Sequence, residues 1–99
     1  MSDRYILVNK KPKLCPDLME WSNWYEKGND NRRVAHTALG KTNVSTVFLG
    51  LDHSFGGGKP LLFETMIFGG KHDEYQERCS TWEEAEEMHK RAVKLAKKS

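Results

Sequence analysis

The segment "STWEEAEEMHKRAVKLAKKS", from Ser80 to Ser99, limits what this chain can fold into more than any other stretch. Trp82, Ala85, Met88, Ala92 and then Leu95 or Ala96 recur at helical spacing, which places them on one stripe of an α-helix. Ser80 with Glu83, or Thr81 with Glu84, has capping-box separation, so the helix starts in one of two registers. Glu83, Glu84, Glu86 and Glu87 precede Lys90, Arg91, Lys94, Lys97 and Lys98, an order that complements the helix dipole and allows pairing of Glu86 with Lys90 and of Glu87 with Arg91. Each such pair contributes only about 0.2–0.5 kcal/mol. The charges therefore form a solvated face, and the apolar stripe must find its cover elsewhere in the chain.

That cover is expected to be a β-sheet. "RVAHTAL", "GK" and "TNVSTVFLGLD" read as a hairpin, because Gly40 can take a turn conformation between two β-prone segments. Along the second strand Val47, Leu49 and Leu51 alternate with Val44, Thr46 and Phe48, so both faces carry apolar residues. "PLLFETMIF" reads as a further strand in which Leu62, Glu64, Met66 and Phe68 oppose Leu61, Phe63 and Ile67. Earlier, "RYILV" suits a short edge strand stopped by "NKKPK". "CPDLMEWSNWYEKG" suits a helix begun at Pro16 and Asp17, with Leu18, Trp21 and Tyr25 on one face and Gly28 at its end. The expectation is a single α+β domain over residues 1–99. It combines a small antiparallel sheet of three to four strands, including Val34 to Leu39, Val44 to Asp52 and Leu61 to Phe68, with two packed helices.

The 99 residues suit one modest core, and 37% hydrophobic with 30% charged residues is the composition of a folded domain, not a disordered tail. A formal charge of +2 gives no strong pull toward polyanions. Cys15 and Cys79 have no metal-type spacing and read as reduced thiols. No window approaches a membrane span or a signal peptide, so a cytoplasmic setting without membrane contact is expected. A small sheet with apolar residues on both faces and only two helices leaves a patch open, which points to a homodimer or small oligomer.

Chemistry is sparsely marked. His36, His53, His72, His89 and the two cysteines form no metal-ligand pattern, and no nucleophile and base stand at catalytic spacing, so neither a metal, a cofactor nor an enzyme activity is expected. The glycine-rich connection "DHSFGGGKP" lacks the phosphate-loop signature, yet it sets an aromatic on a permissive loop. The expected ligand- or partner-binding residues are Arg32, Arg33, His53, Phe55, Gly56, Gly57, Gly58 and Lys59. A protein partner is the leading reading. Its rivals are a nucleotide or other phosphorylated small molecule held by Gly56 to Gly58, Lys59 and Arg33, and weak salt-dependent nucleic-acid binding by the basic end of the last helix, Lys90 to Lys98. Trp21, Trp24 and Tyr25 read as core before they read as a base-stacking platform.

"RRVAHT", "VSTVFLGLDHSFGGGKPLLFETMIFGG" and "STWEEAEEMHKRAV" together resemble an uncharacterised family of small phage and prophage proteins, over the span from Tyr5 to Val93. The segment Lys71 to Glu77 departs from the family pattern. The resemblance implies expression in a bacterial host cytoplasm during infection and a non-catalytic accessory role, in which a host protein is bound and modulated. It implies no substrate.

Overall fold

The computed structural model describes residues 3–27, 32–54 and 58–98. Two antiparallel sheets and two helices make an α+β fold. β1 (Tyr5–Val8) pairs with β2 (Lys11–Leu14) through a two-residue turn in which Asn9 and Lys10 both have positive φ, 51° and 66°. This departs from the sequence expectation. "NKKPK" turns the chain instead of ending the strand, and Pro12 is tolerated because a two-stranded ribbon leaves it an unpaired side. β1 does not become an edge of the main sheet; it joins the chain beyond β4 at the Arg4–Leu51 bridge and through the Tyr5 amide, which donates to the Gly50 carbonyl at 2.8 Å, while Tyr5 and Leu7 pack against the Phe48 end of the core.

α1 (Leu18–Glu26) is capped by Asp17, whose carboxylate accepts from the Met19 and Glu20 amides. Trp21, Trp24 and Tyr25 turn inward, whereas Leu18 is exposed and takes no part in the packed face. Trp21 stacks on Tyr25 at 4.8 Å, and its indole N–H donates to the carbonyls of both Tyr5 and Gly50. Gly50 is required there: its φ is +79°, and a Cβ would stand 3.2 Å from the Tyr25 ring. These aromatics are structural, as the sequence suggested.

The main sheet has the order β3 (Arg33–Leu39), β4 (Thr42–Phe48), β5 (Phe63–Phe68), β6 (Gln76–Cys79), all antiparallel. Gly40, at φ +64°, opens the two-residue turn from β3 to β4. The polar strand β6 was not anticipated. α2 (Trp82–Lys97) lies across β3 to β6 on one face. Two buried clusters hold it there: Phe48, Leu62, Phe63, Ala85 and Met88 at one end, and Val44, Ile67, Ala92 and Ala96 at the other. Leu62 joins Phe63 in the core because the chain reaches strand geometry only at Phe63, so the alternation expected from Leu62 onward begins one residue later.

The register of α2 is settled by a complete capping box: the Thr81 hydroxyl accepts from the Glu84 amide at 3.1 Å, and the Glu84 carboxylate accepts from the Thr81 amide at 3.1 Å. The Glu84 carboxyl is held below its ordinary range, first by the Ser80 amide. Thr81→Ala is accordingly expected to cost about 1 kcal/mol in denaturant unfolding, with Ser80→Ala near neutral.

Candidate interaction surface

Because α2 covers one face of a sheet whose side chains alternate, the strand register dictates what the other face presents. Three cross-strand rows result. Arg33, Val47, Glu64 and Arg78 form the first; His36, Ser45, Met66 and Gln76 the second; Ala38, Asn43 and Phe68 the third. A bulge between Arg33 and Ala35 puts Val34 with the core and leaves Arg33 on this open side, opposite Val47. Ser45, Val47, Glu64, Met66 and Phe68 line a shallow depression of about 190 Å³. Phe68 is 47% exposed, so an aromatic ring stands at its rim with no core to enter.

The surface has fixed charges at its β6 side. Glu64 accepts from Arg78 Nε at 2.9 Å and from the Gln76 side-chain amide, so its carboxylate is already engaged. Arg33 stands exposed at the β3 side. The depression thus has an apolar floor of Val47 and Met66, a neutralised acid–base pair on one flank and a guanidinium on the other.

Beneath the opposite face runs a buried polar chain that sequence reading did not find. His89 Nε2 lies 2.8 Å from the Thr37 hydroxyl, and Nδ1 lies 2.7 Å from the Thr46 hydroxyl, which also bonds to that of Thr65. Thr46 and Thr65 are fully buried and His89 nearly so. Burial pushes the His89 pKa down, and His36 adds to the effect. A neutral imidazole with one donor and one acceptor nitrogen satisfies the hydroxyls on both sides. The available signal was positional: His89 sits in the apolar stripe between Ala85, Met88 and Ala92, and Thr46 lies between Val44 and Phe48.

A second concavity, about 440 Å³, separates β6 from α2 and is lined by Glu77, Glu83, Glu84, Glu87, Arg78, Arg91 and Cys79. Arg91 pairs with Glu77 at 3.2 Å. Burial, assisted by Glu84, pushes the Cys79 thiol up to about 11, so it is protonated at neutral pH and unsuited to nucleophilic attack. Both cysteines are free, and no group of three or more His, Cys, Asp and Glu among the described residues is placed to hold a metal ion. No helix among them is long and apolar enough to cross a membrane.

The residues expected to bind a ligand or partner are distributed as follows. Arg32 and Arg33 enter β3 at the same end of the sheet as the 49–62 connection, because the Phe48 amide donates to the Arg32 carbonyl at 2.6 Å. The Arg32 guanidinium lies 3.9 Å over the Tyr25 ring, a cation–π contact that ties β3 to α1. Asp52 closes the base of the connection by accepting from the Ser54 and Leu61 amides, hydrogen bonds that hold its carboxyl below the ordinary range. His53 donates its amide to the Leu61 carbonyl at 3.1 Å. Lys59 is exposed, and its charge acts on Glu84 of α2. Gly58 has φ +91° with open space around it. Phe55, Gly56 and Gly57 lie outside the described residues. Among the described members of the set, Arg33 alone stands in the open-face rows. Comparison with known proteins returns no matching family model, no matching curated protein and no matching solved structure.

Proposed function

We propose that this chain is a small non-catalytic accessory protein that binds a host protein through the face of the β3 to β6 sheet that α2 leaves open. One observation carries the reading: Val47, Met66 and the half-exposed Phe68 form an apolar depression on a sheet whose other face packs against α2. Such a patch, rimmed by Arg33 and the Glu64–Arg78 pair, has the anatomy of a docking surface, apolar at the centre and polar at the edge. The host setting follows from the resemblance of the central and C-terminal segments to phage proteins. In that setting the protein acts by occupancy, blocking or redirecting its partner without turnover.

Phe68→Glu tests this directly. The side chain is exposed and its loss leaves no cavity, so unfolding free energy is expected to change by no more than about 0.5 kcal/mol. Retention of the partner in affinity capture from bacterial extract is expected to fall at least about tenfold, as the loss of an aromatic anchor requires. An unchanged partner with Phe68→Glu, combined with its loss in Phe55→Ala, would move the contact to the 52–59 connection.

A further inference from the structure

We infer that the outer edge of β3 is a self-association site at which two copies of this chain join their sheets antiparallel. The inference is independent of the open-face reading and rests on the contrast between the two edges of the sheet. Edges left unprotected tend to pair, and natural proteins shorten or charge them to prevent it. β6 follows that rule: it has four residues, "QERC", and carries both charges. β3 does not. It has seven residues, "RVAHTAL", with neither proline nor lysine, and its single charged residue, Arg33, stands at its extreme end. No other strand among the described residues pairs with it on that side.

The hairpin geometry states which groups are on offer. A two-residue turn closes on the pair Leu39 and Thr42, so Leu39, Thr37 and Ala35 exchange their backbone hydrogen bonds with β4. His36 and Ala38 alternate with them and point N–H and C=O outward, and both residues are exposed. A second β3 laid antiparallel about a two-fold axis at Thr37 places His36 opposite Ala38 of the other copy, twice over. Each pair exchanges both of its backbone bonds. Ala35 falls opposite Leu39, no like charges meet within the 35–39 stretch, Arg33 and Lys41 of opposite copies flank its two ends, and the bulge at Val34 lies beyond it. Because the axis is perpendicular to the sheet, both α2 helices fall on one side and both open faces on the other. The product is a continuous eight-stranded sheet with one joined open face.

Ala38→Pro separates this site from the fold. Its N–H points away from β4, so proline removes no bond of the β3–β4 ladder while it deletes a donor at the proposed junction. Light scattering on wild type at hundreds of micromolar is expected to give twice the 11.4 kDa chain mass, and Ala38→Pro the single mass with an unchanged circular dichroism spectrum. A wild-type monomer, or a dimer that survives Ala38→Pro, would overturn the inference. Should the proline variant not fold, amide exchange on wild type probes the same junction. The His36 and Ala38 amides are expected to become protected as concentration rises, and rapid exchange of both at every concentration would count equally against it.

Discussion

Phe48→Ala is expected to reduce the free energy of unfolding by about 3–5 kcal/mol, the range found when a fully buried aromatic is truncated. Phe48 has no exposed surface and stands where four elements converge. Its ring meets Trp24 of α1 edge-on at 5.7 Å and Phe63 of β5 at 5.3 Å, and Tyr5 and Leu7 of β1 together with Ala85 and Met88 of α2 belong to the same cluster. Truncation opens a cavity and also removes the surface that holds α1. That helix has no buried residue of its own, so it depends on half-buried Trp21, Trp24 and Tyr25. For a domain of this size total stability is roughly 5–15 kcal/mol and each kcal/mol moves Tm by about 4–8 °C. Calorimetry should therefore show a fall of at least about 12 °C, with Trp fluorescence reporting exposure of Trp24. A loss below about 1 kcal/mol would mean that the Phe48 end of the core is not closed as described.

The second large effect concerns His89. His89→Leu keeps an apolar side chain of similar length against the sheet but leaves the partly buried Thr37 hydroxyl without its His89 partner and removes one of two partners of the buried Thr46. Leaving a fully buried hydroxyl unsatisfied costs about 1–3 kcal/mol; because Thr37 is only partly buried and Thr46 keeps Thr65, the variant is expected to be less stable by about 1 kcal/mol at pH 8. Its pH profile should differ as well. The folded-state pKa of His89 lies below its ordinary value of 6.5, because burial disfavours the cation and His36 on β3 repels it. Between the folded and unfolded pKa values the unfolded chain binds more protons. The neutral ring's contribution is therefore complete above about pH 6.5 and is lost as pH falls from there through the folded pKa, with a slope of at most about 1.4 kcal/mol per pH unit for one proton. Asp52 and Glu84 act in a lower window, since their depressed pKa values lie beneath the ordinary 3.8 and 4.5. Urea melts from pH 8 to 5 isolate the histidine: wild type should lose stability across this range, and His89→Leu should lose much less. Equal slopes in the two proteins would remove His89 as the cause.

Much of the fold could be read locally. The spacing of Trp82, Ala85, Met88 and Ala92, and the choice between two capping boxes, placed α2 to within a residue, because a helix stripe and its cap are short-range properties. Gly40 marked the β3–β4 turn for the same reason. β6 was missed because "QERC" offers no apolar alternation; it is a strand only because β5 supplies a ladder for it. The β1–β2 turn was missed because Asn9 and Lys10 are a weaker turn signal than Asn-Gly, and because Pro12 reads as a strand breaker until its pairing partner is known.

The candidate surface was legible only in part. Sequence alone determined that Val44, Thr46 and Phe48 share one side of a strand and Ser45 and Val47 the other, since a two-residue period admits nothing else. It also determined that a single strongly amphipathic helix would have to cover one of them. It did not determine which. Both sides carry apolar residues, and the decision fell to pairings between residues far apart in the chain: Thr37 with His89, Thr46 with His89, and the closure of Phe48, Phe63 and Met88 into one cluster. A polar group is buried only where a partner meets it, so His89 and the threonines fix the helix to their own face. Val47, Met66 and Phe68 are left on the other, at the surface, for want of a second layer.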